Sequence, residues 1–188
     1  MKRRLSLAWT PVLFLAVSVL AGTAWAQTIE IPISGTDAVV TIDPGLQFTD
    51  SEGITHYRGL IQTSHIEGQD ADGVPVISDG EYVVNVNIDM VTGDGDMNVK
   101  MAQVMTYGDL EGSWQGTADV LIAGFLFEGP FNYARGSGDF KSWHLRGTVA
   151  GVFAGPLNSW DGYFLVPSGD KAAAVESETW SRVKDLFR

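Results

Sequence analysis

The densest chemistry in the chain is the run His56-Tyr57-Arg58, an imidazole, a phenol and a guanidinium in consecutive positions. On an extended strand side chains alternate with period two, so His56 and Arg58 share a face with Ile54 and Leu60. Polar groups on such a face suit the mouth of an apolar interior, where they would orient a bound molecule. With Tyr57 they are also the nearest candidates for the convergent polar groups that an enzyme acting in such an interior, a cyclase, isomerase or coupling guide, would require. The competing reading is an ordinary rim or surface pair, because charged side chains are mostly exposed. The remaining histidines, His65 and His144, have no metal-ligand spacing to His56, and no metal site is expected. His144 and Arg146 alternate with Trp143 and Leu145 and are expected to face solvent.

Other motifs read more simply. Asp94, Asp96 and Asn98 alternate oxygen ligands as a calcium loop does, but the sixth-position glycine and distal glutamate of an EF-hand are missing. An acidic hairpin tip is the better reading, and Asp70 and Asp72 before Gly73 form a similar turn. Gly136-Ser137-Gly138 has the composition of a phosphate loop, yet such loops feed a helix N-terminus. Here Asp139 to Val149 reads as turn and strand. The absence of cysteine excludes disulfides, thiol catalysis and thiolate metal sites. There is no Gly-x-Ser-x-Gly nucleophile motif, and no two of the many carboxylates stand out as a glycosidase pair. No motif names a reaction, and no cofactor is implied.

The elements that must position these residues are strands. From residue 27 to 168 the sequence is rich in glycine, aromatic and β-branched residues and shows no helical period. Tyr82, Val84, Val86, Ile88 and Met90 form one face of a strand over Glu81–Met90, with Glu81, Val83, Asn85, Asn87 and Asp89 on the other. Thr92-Gly93-Asp94-Gly95-Asp96 suits a tight hairpin. The return strand, Asn98 to Tyr107, carries Val99, Met101, Met105 and Tyr107 on one side. Thr28–Ile33, Ala38–Ile42, Ile54–Glu67, Ser113–Ile122, Phe125–Tyr133, Trp143–Phe153 and Trp160–Val166 complete about nine candidates. No repeat or linker divides them, so residues 27–188 are expected to form one domain.

The two ends differ from this middle. Lys2, Arg3 and Arg4 precede an apolar run from Pro11 to Leu20 and the sequence Ala24-Trp25-Ala26. This is the pattern of a secretory signal cleaved after Ala26, with an uncleaved anchor as the alternative. The run is short of the roughly 20 apolar residues that span a bilayer. An exported protein, periplasmic or extracellular, with no membrane span after cleavage is therefore expected. The whole chain carries −11, and loss of the three positive side chains in residues 1–26 takes it to −14. Such an acidic protein repels phosphate backbones and makes nucleic acid an unfavourable partner. Near the other end, Trp180, Val183 and Phe187 recur at helical spacing, predicting an amphipathic helix over 170–187.

The stretch from about Gly53 to Val166 resembles bacterial members of the allene oxide cyclase-like barrel group, which includes the dirigent proteins. The resemblance is carried by Gly112-Ser113-Trp114-Gln115-Gly116-Thr117, by Gly136-Ser137-Gly138-Asp139-Phe140 and by Leu145-Arg146-Gly147-Thr148-Val149-Ala150-Gly151. It implies an eight-stranded antiparallel barrel whose apolar cavity takes a small hydrophobic molecule. In the plant members that cavity guides a reactive intermediate, but none of their catalytic residues is carried over to this chain. The expectation is thus an all-β protein, a closed antiparallel barrel of roughly eight strands with a C-terminal amphipathic helix. Its expected partner is a small apolar ligand. A cyclase or isomerase working in the cavity and a structural or interaction protein of the cell envelope are the alternatives.

Overall fold

The structure is a computed structural model that describes residues 28–168. The expected signal segment and the helix expected over 170–187 lie outside the described residues.

Nine strands follow one another: β1 (Thr28–Asp43), β2 (Leu46–Thr49), β3 (Ile54–Asp70), β4 (Pro75–Asp89), β5 (Gly95–Tyr107), β6 (Leu110–Ala123), β7 (Leu126–Gly136), β8 (His144–Val152) and β9 (Leu157–Pro167). Each of β3 to β9 pairs antiparallel with the next, and β1 pairs with both β9 and β3. Eight strands therefore close an up-and-down barrel, and closure removes the free edges of an open sheet. The ninth, β2, prolongs β1 beyond a break at Pro44-Gly45 and pairs with the first residues of β3. Val40 and Ile42 at the end of β1 and Leu46 and Phe48 of β2 are exposed.

Alternation sets the interior. Tyr82, Val84, Val86 and Ile88 of β4 are buried, as are Val99, Met101, Met105 and Tyr107 of β5. Met90 lies past the end of β4 and is exposed. His144 and Arg146 face outward beside buried Leu145. The expected strands Thr28–Ile33 and Ala38–Ile42 are one continuous β1. Ser34-Gly35-Thr36-Asp37 has turn composition, but Gly35 is there for proximity: a Cβ on it would lie 2.1 Å from the Glu67 carbonyl oxygen of β3. The glycine lets β1 and β3 meet where the barrel closes.

The two halves of the interior are filled differently. At the end that carries the β5–β6 turn and the one-turn 3-10 segment Gly138–Phe140, Trp114, Phe140, Trp143 and Phe164 pack with Tyr107. Their ring centroids stand 5.2–6.2 Å apart, and Trp114, Phe140 and Phe164 have no exposed surface. Towards the other end the inward positions are smaller: Val84, Val86, Val99, Ala118, Val120 and Val149. Large side chains plug one half of the barrel, and short ones leave space in the other.

The glycines of the Leu145–Gly151 motif have a packing reason. The ring of Phe131 would lie 2.6 Å from a Cβ on Gly147, and that of Phe127 would lie 2.7 Å from one on Gly151. The missing side chains are the seats of the two rings.

Candidate functional site

The space left by the small side chains is a cavity of about 190 Å³. Aliphatic groups from β4, β5 and β6 and the rings of Phe127 and Phe131 make most of its wall. Tyr57 of β3 and Phe153 of the β8–β9 turn stand at its open end, their ring centroids 6.1 Å apart. The turns at this end are tied to one another. Phe125 N–H donates to the Gly93 carbonyl and Phe153 N–H to the Phe125 carbonyl, both at 2.8 Å. Gly93 has φ of 77° and lies so close to Phe125 that a side chain would collide with its ring. The rim is a bonded structure and not a set of separate loops.

One side of the cavity is polar, and it is assembled from five strands. Asp37 of β1 is 3% exposed and lines the cavity. Its two oxygens accept hydrogen bonds from Ser64 Oγ of β3 and from the Tyr82 hydroxyl of β4, each 2.7 Å long. Asn158 of β9 also hydrogen-bonds this carboxylate. Behind the hydroxyls, the Gln103 amide of β5 donates to Ser64 Oγ at 3.1 Å and to the Tyr82 oxygen at 2.9 Å. The amide is oriented by Ser78, which donates to its carbonyl oxygen. Each hydroxyl has one hydrogen: that of Tyr82 is directed at Asp37, and that of Ser64 is shared between Asp37 and the Tyr82 oxygen 2.9 Å away.

Burial raises the Asp37 carboxyl above its ordinary value, while the bonds from Ser64, Tyr82 and Asn158 and the proximity of His65 pull it back. Burial likewise raises the phenols of Tyr82 and Tyr133, which stay neutral. Among the described residues no cationic side chain pairs with Asp37, and none lines the cavity.

The run His56-Tyr57-Arg58 is divided between two places. Tyr57 points inward and lines the cavity, whereas His56 and Arg58 lie on the outer face of β3. They do not share a face with Leu60, because β3 carries a bulge. Tyr57 pairs with Val86 and Leu60 with Val84, so Arg58 and Gly59 together oppose Asn85. The extra residue turns Leu60 inward beside Tyr57. Arg58 donates to the carbonyls of Tyr57 and Val86, at 2.9 and 2.8 Å, taking up acceptors beside the break in the ladder.

His56 Nε2 meets Asp50 at 2.9 Å and its Nδ1 meets Asn87 at 2.9 Å, with Phe48 stacked on the ring at 4.7 Å. The bonds to Asp50 and Asn87 raise the imidazole value against burial and the charge of Arg58, and the same contact lowers Asp50. This outer cluster secures β2 to the barrel. Arg58→Ala is expected to lower stability by about 1–2 kcal/mol in urea denaturation, the scale of hydrogen bonds from a half-buried charge. It should leave occupancy of the cavity unchanged.

The other acidic motifs are engaged in turns and cross-strand bonds. Asp94 accepts from Gly124 N–H, Asp96 from Asn87 and Asp119 from Asn98. Asp70 Oδ1 accepts from the backbone N–H of Asp72 and Val74.

The fold and site together define a closed β-barrel with an apolar internal cavity into whose wall one carboxylate, that of Asp37, is set without a cationic partner among the described residues. Comparison with protein-family models and with curated proteins finds no match to the chain.

Proposed function

We propose that this chain is an exported β-barrel protein that holds a small, mainly apolar molecule inside the barrel. The observation that carries the reading is the cavity of about 190 Å³ walled by valine, methionine and phenylalanine side chains. An apolar cavity of about 150 Å³ in another protein is large enough to take benzene, so a substituted aromatic or short-chain molecule is of suitable size. A protein folding only for its own stability gains by filling such space, since each missing contact weakens the core. The resemblance to the allene oxide cyclase-like group supports the same reading, as does the positively charged, apolar beginning of the chain for export.

Acid–base catalysis in the same cavity is a second reading, favoured by a buried carboxyl held above its ordinary value beside the Tyr82 hydroxyl. It would use Asp37 and Tyr57, since His56 and Arg58 lie on the outer face.

n-Butylbenzene is a suitable probe because it is slender and has no polar group. Titrated into the protein in a calorimeter, it is expected to bind saturably at one site, with the negative heat-capacity change of apolar burial. The absence of saturable binding would count against the proposal.

A further inference from the structure

Asp37 is the one charged residue among the described residues lining the cavity. Its hydrogen-bond donors, Ser64, Tyr82 and Asn158, are all neutral. A carboxylate taken from water normally has a cation beside it, because neutral donors replace hydration only in part. The Tyr82 hydroxyl donates its one hydrogen to Asp37, while Ser64 shares its own between Asp37 and the Tyr82 oxygen, so the carboxylate is held as an acceptor by neutral donors alone. Asn158, 9% exposed, lines the same cavity and adds a third neutral side chain to those bonded to Asp37. What this corner lacks is a group with several hydrogens and a positive charge.

Resting on the reading of the cavity as a binding site, we propose that its ligand is a small apolar primary amine bound as the ammonium ion. The ammonium group donates to Asp37, and the hydrocarbon part lies among Val84, Val99, Met101 and Phe131. The rings of Tyr82, Tyr133 and Trp160 in the wall suit a cation, whose charge their faces attract. The chain's net charge of −11 draws cations toward the molecule and repels carboxylates and phosphates. An anionic lipid or fatty acid would meet Asp37 with no opposite charge in the wall. Trp160 Nε1 is also without a partner, but so are those of Trp114 and Trp143 in the plugged half, so it does not distinguish the site.

Three molecules of equal heavy-atom count separate the terms: 3-phenylpropan-1-amine, 3-phenylpropan-1-ol and n-butylbenzene end in an ammonium, a hydroxyl and a methyl group. Titrated calorimetrically into the protein at neutral pH, the amine is expected to bind at least about tenfold more tightly than the alcohol, the margin of a charge-assisted over a neutral hydrogen bond. In Asp37→Asn that preference should fall to within about threefold while n-butylbenzene still binds. The wild-type protein gives a second measurement should that variant fail to fold. As pH falls through the raised value of Asp37 the preference should disappear, because the carboxyl becomes neutral while the amine stays charged. Of the other titratable groups facing Asp37, Tyr82 and Tyr133 stay neutral throughout, and His65 on the outer face gains charge.

Equal binding of amine and alcohol by the wild type would overturn the inference. So would a preference that survives in Asp37→Asn or ignores pH. Binding of n-butylbenzene without an amine preference removes this inference alone, whereas failure of all three to bind removes the cavity reading with it.

Discussion

Ala118→Phe is expected to abolish uptake of n-butylbenzene while the barrel still folds. Ala118 is buried on β6, lines the cavity, and pairs with Val99 on one side and Phe131 on the other. A benzyl group placed there projects into the space a ligand would use. Denying burial to only two methylenes costs about 1.6 kcal/mol, already more than tenfold in Kd by the rule of about 1.4 kcal/mol per decade. A whole ring excludes more than that. Because the ring enters space and not a filled core, the stability change should stay below the roughly 1–3 kcal/mol typical of overpacking. Calorimetric titration of the variant, with its circular dichroism as the check on folding, measures both. Undiminished binding would place the ligand elsewhere.

Trp114→Ala should produce the opposite pattern, a large loss of stability from a residue that does not itself line the cavity. Trp114 has no exposed surface and packs against Tyr133, Phe140 and Phe164 in the plugged half of the barrel. Truncation of a buried tryptophan to alanine costs about 3–5 kcal/mol. That is a substantial part of the 5–15 kcal/mol that holds a typical domain folded. The indole N–H has no partner, so the loss is one of packing and not of a hydrogen bond. Trp114→Phe, which keeps most of the ring, should therefore cost clearly less. Urea denaturation of the two variants separates these contributions, and a loss under about 1 kcal/mol for Trp114→Ala would mean that the aromatic plug is not what stabilises the barrel.

The contrast between the two substitutions follows from how the interior is divided, and part of that division is legible in the chain. The inward faces of β4 and β5 follow directly from alternation, from Tyr82 to Ile88 and from Val99 to Tyr107. The polar side of the cavity is hidden for a physical reason. Asp37 follows Ser34-Gly35-Thr36, a composition that fits a turn as well as a strand seam. Its partners come from β3, β4 and β9, with Gln103 of β5 behind them, and barrel closure brings these together. No local pattern marks Ser64 as facing a carboxylate or Gln103 as standing behind it, because each is a single polar residue on an alternating strand.

His56 and Arg58 show the converse. Their residue types suit a site, but the bulge at Arg58-Gly59 breaks the period that would put them beside Leu60. The available signal was Gly59 itself, an isolated glycine within a strand, which commonly marks a bulge. Tyr57 alone of the three reaches the cavity, and it does so because its own alternation with Thr55 precedes the bulge.

The account stands on a molecule entering the space between the aromatic plug and the rim marked by Tyr57 and Phe153. Intermolecular nuclear Overhauser effects from bound n-butylbenzene report that location most directly. The account predicts cross-peaks from its protons to the methyl groups of Val99 and Met101 and to the ring of Phe131. Cross-peaks confined to the exposed Val40, Ile42, Leu46 and Phe48 outside the barrel, or none at any ligand concentration, would contradict it.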